Sequence, residues 1–209
     1  MSVLHRIAYY QGRRDEIPNQ ELARELVEAR DLEGIREIAE NLGHENSNVQ
    51  SDCLKVLYEI GYLAPELIAD YVTQFLALLG HKNNRMVWGG MIALATIAEL
   101  KPAEIWNEVD SVIDAVDYGT AITEVWGIRT LARLAAANDA YCQRLFPLLM
   151  KYLKECLPRD VPTHAESILP AVNSSRKDEY LAVLELRKPD MTASQLLRLQ
   201  KVTRQIKAG

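Results

Sequence analysis

The sequence predicts an all-α fold in which paired helices stack at a period of 37 residues. The turn motif LGHEN at residues 42–46 recurs 37 residues later as LGHKN at residues 79–83. The same step reaches another polar turn at residues 116–119. Hydrophobic residues make up 48% of the 209-residue chain and aromatic residues only 7%. A core built mainly of aliphatic side chains favours helices.

The apolar residues after each turn fall into matching columns. In the first helix of each repeat, three such columns are spaced by three residues along one helical face. In the second helix, the spacing of i, i+4 and i+7 is typical of a helix with one buried face. The first-helix columns are Leu54, Met91 and Ile128; Leu57, Leu94 and Leu131; and Ile60, Ile97 and Leu134. The second-helix columns are Ile68, Ile105 and Cys142; Val72, Val109 and Phe146; and Phe75, Val112 and Leu149.

Small residues and prolines mark the two helices of each pair. Cys53, Gly90 and Gly127 share one column of the first helix. A glycine inside a helix costs about 1 kcal/mol relative to alanine, so we expect close approach of neighbouring helices there. Pro65 and Pro102 stand where the second helix should begin, in a first turn that tolerates proline.

The period divides the chain into units within a predicted single domain of residues 1–209. A divergent helix pair is expected at 19–42, because Asp31 can cap its second helix. Repeats are expected at about 43–79, 80–116, 117–153 and 154–187. Residues 192–207 should form a C-terminal capping helix that begins at Thr192, since a repeat array needs atypical ends.

The opening segments of the repeats resemble a known family. Residues 49–57, 86–94 and 123–131 are similar to the first helix of a HEAT repeat, and the likeness extends over residues 19–187. The chain therefore resembles a HEAT-like, armadillo-type helical repeat protein. The resemblance implies an α-α superhelix, a HEAT-like solenoid in which the second helix of each pair lines a groove.

Charge and cysteine content limit the classes of function. The net charge is −5 and the pI about 5.5, whereas a phosphate-backbone binder needs an excess of Lys and Arg, so nucleic acid is disfavoured as a partner. Cys53, Cys142 and Cys156 are dispersed and odd in number, which indicates a reducing compartment. Without a signal pattern or a membrane-length apolar run, we expect a cytoplasmic protein with no membrane contact.

The favoured function is a non-enzymatic scaffold that binds another protein or a peptide segment, such as an amphipathic helix, in the helix-lined groove. No cofactor is expected. Trp and Arg are typical anchors of interfaces, and six residues lie off the apolar stripe of the second helices. The candidate groove residues are Asp70, Thr73, Trp106, Asn107, Asp110 and Arg144.

Two chemical alternatives have a basis in the sequence. HEAT-like alkylpurine DNA glycosylases resemble this chain in outline, and the resemblance would give Trp106 and Asp110 a role against a cationic base. HEAT-like deoxyhypusine hydroxylases hold two irons with repeated His-Glu pairs. Here only His44-Glu45 fits that pattern, since Lys82 follows His81 in the next repeat. One pair cannot supply a di-iron site, so no metal is expected.

A further alternative is an assembly subunit of a larger complex that docks through the C-terminal helix. That helix should present a basic face, because its charged residues are all positive. The face is either a solvated side of a cap or a docking element. Its residues are Arg198, Lys201, Arg204 and Lys207.

Overall fold

A computed structural model describes the backbone of residues 2–208 and the side chains of residues 2–206. Within that range every regular element is a helix, and the all-α prediction is confirmed. The α-helices are α1 (Ile17–Glu28), α2 (Leu32–Glu40), α3 (Ser47–Leu63), α4 (Val72–Ala77), α5 (Asn84–Ile97), α6 (Pro102–Asn107), α7 (Val109–Tyr118), α8 (Ala121–Ala137), α9 (Asp139–Glu155), α10 (Val161–Ile168), α11 (Lys177–Arg187) and α12 (Ala193–Ala208).

The chain divides into two compact units, residues 1–126 and 127–209. The predicted single domain of residues 1–209 stays a prediction. In the first unit, α3 packs between α1 and α5, and α2 and α4 also contact this row. Leu57 and Ile60 of α3 are fully buried, as the apolar columns predict.

The repeated turn motif begins the first helix of a pair. The Nδ1 atom of His44 accepts a hydrogen bond from the backbone N–H of Asn46, whose side chain caps α3. His81 and Asn83 make the same two bonds at the start of α5. Helix starts leave backbone N–H groups without intrahelical partners, and these side chains satisfy some of them. The 37-residue recurrence is therefore a recurrence of one capping structure.

The second helix of the first two full repeats is interrupted, which differs from the single helix that the pattern predicts. Pro65 begins a 3-10 helix that precedes α4, and Pro102 is the first residue of α6. The interruptions fall at Tyr71 and Glu108, which are 37 residues apart. The third repeat has a continuous α9 that includes Pro147. The apolar columns survive the interruptions, because Ile68 and Ile105 are both fully buried.

Glycine permits the close approach of α5 to the preceding second helix. A Cβ atom on Gly90 would lie 2.9 Å from the Cβ of Leu78 and 3.1 Å from the backbone oxygen of Phe75. In the same column, Cys53 and Gly127 are buried. Burial raises the pKa of Cys53 to about 12, and the nearby carboxylates of Asp52 and Glu37 add to the effect. Cys53 therefore has the properties of a core side chain.

An aromatic row connects the first helices of three successive pairs. The rings of Trp88 and Tyr58 are 6.2 Å apart, those of Tyr58 and Tyr62 are 6.0 Å apart, and those of Tyr62 and Trp126 are 5.7 Å apart. The two tryptophans pack between neighbouring helices, as their position beside the small-residue column suggests. These distances lie in the range in which aromatic pairs add to stability.

In the second unit, Arg187 of α11 closes the end of α9. Its buried guanidinium donates to the backbone oxygens of Leu153, Lys154 and Cys156 at 2.7–2.8 Å. These carbonyls lie where a helix runs out of intrahelical donors. The buried Tyr180 hydroxyl donates to Ala165 at 2.8 Å and thereby joins α11 to α10.

The C-terminal helix α12 packs against α10 and α11 through Leu199 and Val202, which are each 1% exposed. At its start, Thr192 and Gln195 form a reciprocal capping pair. The Thr192 backbone N–H donates to the Gln195 Oε1 atom, and the Gln195 N–H lies 3.4 Å from the Thr192 hydroxyl. Thr192 thus caps the start of α12.

Candidate functional site

A groove lies in the first unit between α4 and the pair α6–α7. It consists of two cavities of about 530 and 450 Å³ that share Leu76 and Ser111 and are therefore continuous. We call this surface the acidic groove. Its lining residues are Thr73, Leu76, Ala77, Leu79, Gly80, His81, Asn84, Val87, Glu104, Asn107, Glu108, Ser111, Asp114, Ala115, Tyr118 and Gly119.

The floor of the acidic groove offers apolar surface. Leu76 and Leu79 are half-buried, and Tyr118 at the end of α7 is 86% exposed. A tyrosine can bury a large ring while its hydroxyl stays hydrated, which makes it a frequent interface residue. Helix α7 exposes Tyr118 at its end, while the apolar stripe of α6 and α7, which includes Ile105 and Val112, faces the core.

The wall formed by α6 and α7 is strongly acidic. The segment from Pro102 to Tyr118 carries no Lys or Arg. Glu108 and Asp114 line the groove, and neither makes an ion pair with any residue that the structure describes. The five acids of the segment are Glu104, Glu108, Asp110, Asp114 and Asp117.

Lys101 lies beside the groove. The Lys101 Nζ atom is 2.9 Å from a carboxylate oxygen of Asp70 and 3.7 Å from one of Glu104. The hydrogen bond to Asp70 raises the pKa of Lys101, and desolvation opposes this effect. Lys101 therefore joins the second helices of two successive repeats, while the acids further along α7 lie beyond this contact.

The structure places only some of the six predicted groove residues at the acidic groove. Thr73 and Asn107 line the acidic groove, and Asp70 lies beside it through Lys101. Half-buried Trp106 and exposed Asp110 are not among the lining residues of either cavity. The interruption at Glu108 places Trp106 in α6 and Asp110 in α7, so the two residues belong to successive helices and their predicted common face stays a prediction.

Arg144 and the basic C-terminal residues belong to the second unit. Arg144 is exposed on α9. Arg198 is engaged within its unit, because it donates to both carboxylate oxygens of Glu166 and its pKa is raised by that hydrogen bond. Lys201 and Arg204 are exposed and make no ion pair among the described residues. The side chain of Lys207 lies outside the described residues.

Charge is divided between the two units. Residues 1–126 contain 10 Lys and Arg against 21 Asp and Glu, a net charge of −11. Residues 127–209 contain 14 against 8, a net charge of +6. The acidic groove therefore belongs to a strongly acidic unit, and its acids reinforce a field that already attracts cations.

Glu108, Asp114 and Tyr118 were not among the residues that sequence reasoning selected. The absence of Lys and Arg from residues 102–118 is a signal that could have identified the acidic wall. The apolar groove floor could not be found in the same way. Its residues come from α4, the 3-10 turn that follows α4, and α7, and only packing brings them together.

The described residues also bear on metal and membrane chemistry. Among them, no three His, Cys, Asp or Glu side chains are grouped so that they could hold a metal ion. His44, the first residue of the His-Glu pair, is engaged at the start of α3 by its Nδ1 atom. No helix in the described part combines the length and apolar character that crossing a bilayer requires.

Comparisons with known proteins identify the fold. No family model and no curated protein matches the chain. A designed armadillo repeat protein, YIII(Dq.V1)4CPAF in complex with the peptide (KR)4, matches with a TM-score of 0.68 and 15% identity, over 90% of this chain and 86% of that chain. The designed armadillo repeat protein YIII(Dq)4CqI matches with a TM-score of 0.66 and 14% identity, over 90% of this chain and 87% of that chain. An engineered protein, target OR329, matches with a TM-score of 0.65 and 18% identity, over 100% of this chain and 98% of that chain. The chain thus has an armadillo/HEAT-like helical repeat fold.

Proposed function

We propose that the protein is a non-enzymatic interaction scaffold whose acidic groove binds a positively charged segment of another protein. The observation that carries this proposal is the α6–α7 wall, which lies in a segment of 17 residues without Lys or Arg and places Glu104, Glu108 and Asp114 in the groove. Glu108 and Asp114 on this wall make no ion pair with a described residue. A Lys or Arg side chain would supply the missing charge.

The apolar floor and the acidic wall of the groove would contribute to binding in different ways. Leu76, Leu79 and Tyr118 would bury the apolar side chains or side-chain stems of the segment, which gives the contact its affinity. The carboxylates would attract and align it, which gives a faster association rate and discrimination against acidic segments. The similar designed armadillo protein in complex with (KR)4 supports a cationic segment as the ligand class.

The peptide (KR)4 is the first probe. Labelled (KR)4 should bind the full chain in a fluorescence anisotropy titration, and raising the salt from about 0.01 M to about 1 M should abolish binding because the charges are then screened. The variant Glu108→Gln/Asp114→Asn should bind at least tenfold more weakly, a loss of about 1.4 kcal/mol or more.

A matched control removes the same charge elsewhere in the acidic unit. Glu21 and Glu28 are exposed on α1 and line neither cavity. Glu21→Gln/Glu28→Gln should bind nearly as wild type if the groove is the site. Equal losses in both variants would mean that only the general negative field attracts the peptide, and the groove assignment would then be wrong.

Trp106 tests the originally predicted groove surface separately. It is half-buried and near the cavities without lining them. If the segment extends over α6, Trp106→Ala should weaken binding while circular dichroism shows unchanged helix content. Loss of helix content would instead assign Trp106 to the core, and normal binding with normal helicity would exclude it from the interface.

A further inference from the structure

The exposed face of α12 carries positive charges that are complementary to the carboxylates of the acidic groove. Leu197, Lys201 and Arg204 follow the spacing i, i+4 and i+7, so they share one helical face. Leu197 is 62% exposed, although the opposite face of α12 is buried through Leu199 and Val202. This face presents one apolar side chain and two cations that have no ion-pair partner among residues 2–206.

The acidic groove presents the opposite set of groups. Glu108 and Asp114 are its carboxylates without an ion pair in the described part of the chain, and Leu76 and Tyr118 are its accessible apolar groups.

We propose, building on the segment-binding function above, that the positively charged segment in the acidic groove is the outward face of α12 from a second copy of this chain. The net charges of −11 and +6 on the two units favour the same pairing, because copies that approach acidic unit to basic unit attract each other. Like units repel, which disfavours a symmetric pairing of two grooves or of two helices.

This contact is heterologous, since each copy contributes a groove on one side and a helix on the other. Heterologous contacts continue from copy to copy unless the arrangement closes into a ring. Mass should therefore rise beyond that of a dimer as the concentration increases. The contact depends on a few solvent-accessible charges, so it should be weak and sensitive to salt.

The test uses two variants of the full chain, each altered on one side of the contact. Glu108→Gln/Asp114→Asn removes the groove charges, and Lys201→Gln/Arg204→Gln removes the helix charges. All four side chains are exposed, so both variants should fold, which circular dichroism can check. Sedimentation velocity from micromolar to near-millimolar protein then reports the mass of wild type, of each variant and of their equimolar mixture.

The expected wild-type result at about 0.01 M salt is a mass that rises with concentration, and at about 1 M salt a monomer. Each variant alone should stay monomeric. Their mixture should reach twice the mass of one chain and no more, because one intact groove can accept one intact helix and no further contact remains.

Three results would overturn self-association through these surfaces: a monomeric wild type at low salt, association that neither variant reduces, or a mixture that stays monomeric. The (KR)4 titration, at protein concentrations too low for self-association, separates this inference from the proposed function. Peptide binding by a protein that remains monomeric would leave the groove as a binding site and reject the second copy as its occupant. Failure of both experiments would reject both proposals.

Discussion

Gly90 shows how one residue controls the distance between two helices. A Cβ atom at this position would be 2.9 Å from the Leu78 Cβ and 3.1 Å from a backbone oxygen of Phe75, and neither neighbour is the end of a flexible side chain. Gly90→Ala should therefore destabilise the protein by about 1–2 kcal/mol, since forced overpacking costs more than the improved helix propensity returns. Urea unfolding measures the change.

Gly43 provides the control for this substitution. Apart from its chain neighbours and the backbone of its own helical turn, no atom lies within 4 Å of a Cβ atom built on Gly43, and its backbone does not have a positive φ. Gly43→Ala should change the free energy of unfolding by less than about 0.5 kcal/mol. An equal loss in both variants would show that backbone freedom, and not the contact with α4, explains the glycine column.

His164 gives the second unit a pH dependence. The imidazole is buried in α10, and burial lowers its pKa below the ordinary value of 6.5, with the Asp160 carboxylate opposing and Arg187 adding to the effect. A lowered pKa in the folded state means that the unfolded chain binds the proton more readily. The stability contributed by neutral His164 is therefore complete above pH about 6.5 and is lost as the pH falls through the folded-state pKa.

His164→Leu removes this titration. We expect the stability difference between wild type and His164→Leu to move in favour of the variant as the pH falls from about 7.5 to about 5.5, when urea unfolding is measured at each pH. A difference that stays constant over this range would show that His164 has the same proton affinity in the folded and unfolded states.

The repeated histidines illustrate what the sequence could and could not predict at the scale of single residues. The recurrence of the motif at 37 residues located both turns. It did not reveal that the Nδ1 atoms of His44 and His81 accept backbone hydrogen bonds two residues further on. That bond depends on side-chain rotamers and local backbone angles, which a residue pattern does not specify.

At the scale of helices, Arg187 determines how α9 ends. Its guanidinium donates to three carbonyls of the α9 terminus, and only a planar, multidentate donor can satisfy all three from one position. Arg187→Lys keeps the charge and loses most of these bonds. We expect a loss of about 2–3 kcal/mol in the free energy of unfolding.

The neighbouring Lys188 offers the reverse exchange as a control. Lys188 is on the surface and pairs with Glu185. Lys188→Arg should alter stability by less than about 0.5 kcal/mol, because exposed ion pairs contribute little. If Arg187→Lys were equally mild, water would have to replace the guanidinium at the end of α9.

The helical elements were predictable where apolar periodicity is strong and less so where helices are interrupted. The columns that include Leu57 and Ile105 located the buried faces correctly. The interruptions at Tyr71 and Glu108 carry no glycine or proline at the break itself, so local sequence gave no signal for them. The break at Glu108 also concerns the site, because the common face of Trp106 and Asp110 was predicted for one continuous helix and the two residues belong to α6 and α7.

At the scale of the whole molecule, the division of charge explains why the groove was only partly predicted. A net charge of −5 suggests an ordinary acidic protein, but it is the sum of −11 in the first unit and +6 in the second. The boundary between the units became visible only in the structure. Without it, the acids of α7 and the bases of α12 could not be recognised as features of two oppositely charged units.

Repulsion among the acidic residues of the first unit should lower the free energy of unfolding at positions that bind a cationic partner. A substitution of Asp114 tests this expectation. Asp114 is four residues after Asp110 and three before Asp117 on α7, and like charges at these spacings destabilise a helix by about 0.2–0.5 kcal/mol each. Asp114→Asn should therefore raise the free energy of unfolding by about 0.4–1 kcal/mol at low salt, while it weakens (KR)4 binding.

Asp139 is the control, because it has the same side chain in the first turn of α9, where the helix dipole favours a negative charge. Asp139→Asn should lower stability by about 0.3–1 kcal/mol and leave peptide binding intact. Raising the salt should shrink both stability changes, since both are electrostatic. If Asp114→Asn instead destabilised the protein, a favourable contact would hold this carboxylate in the folded chain. Asp114 would then be a structural residue, and the acidic groove would lose one of the two carboxylates that it offers to a cationic partner.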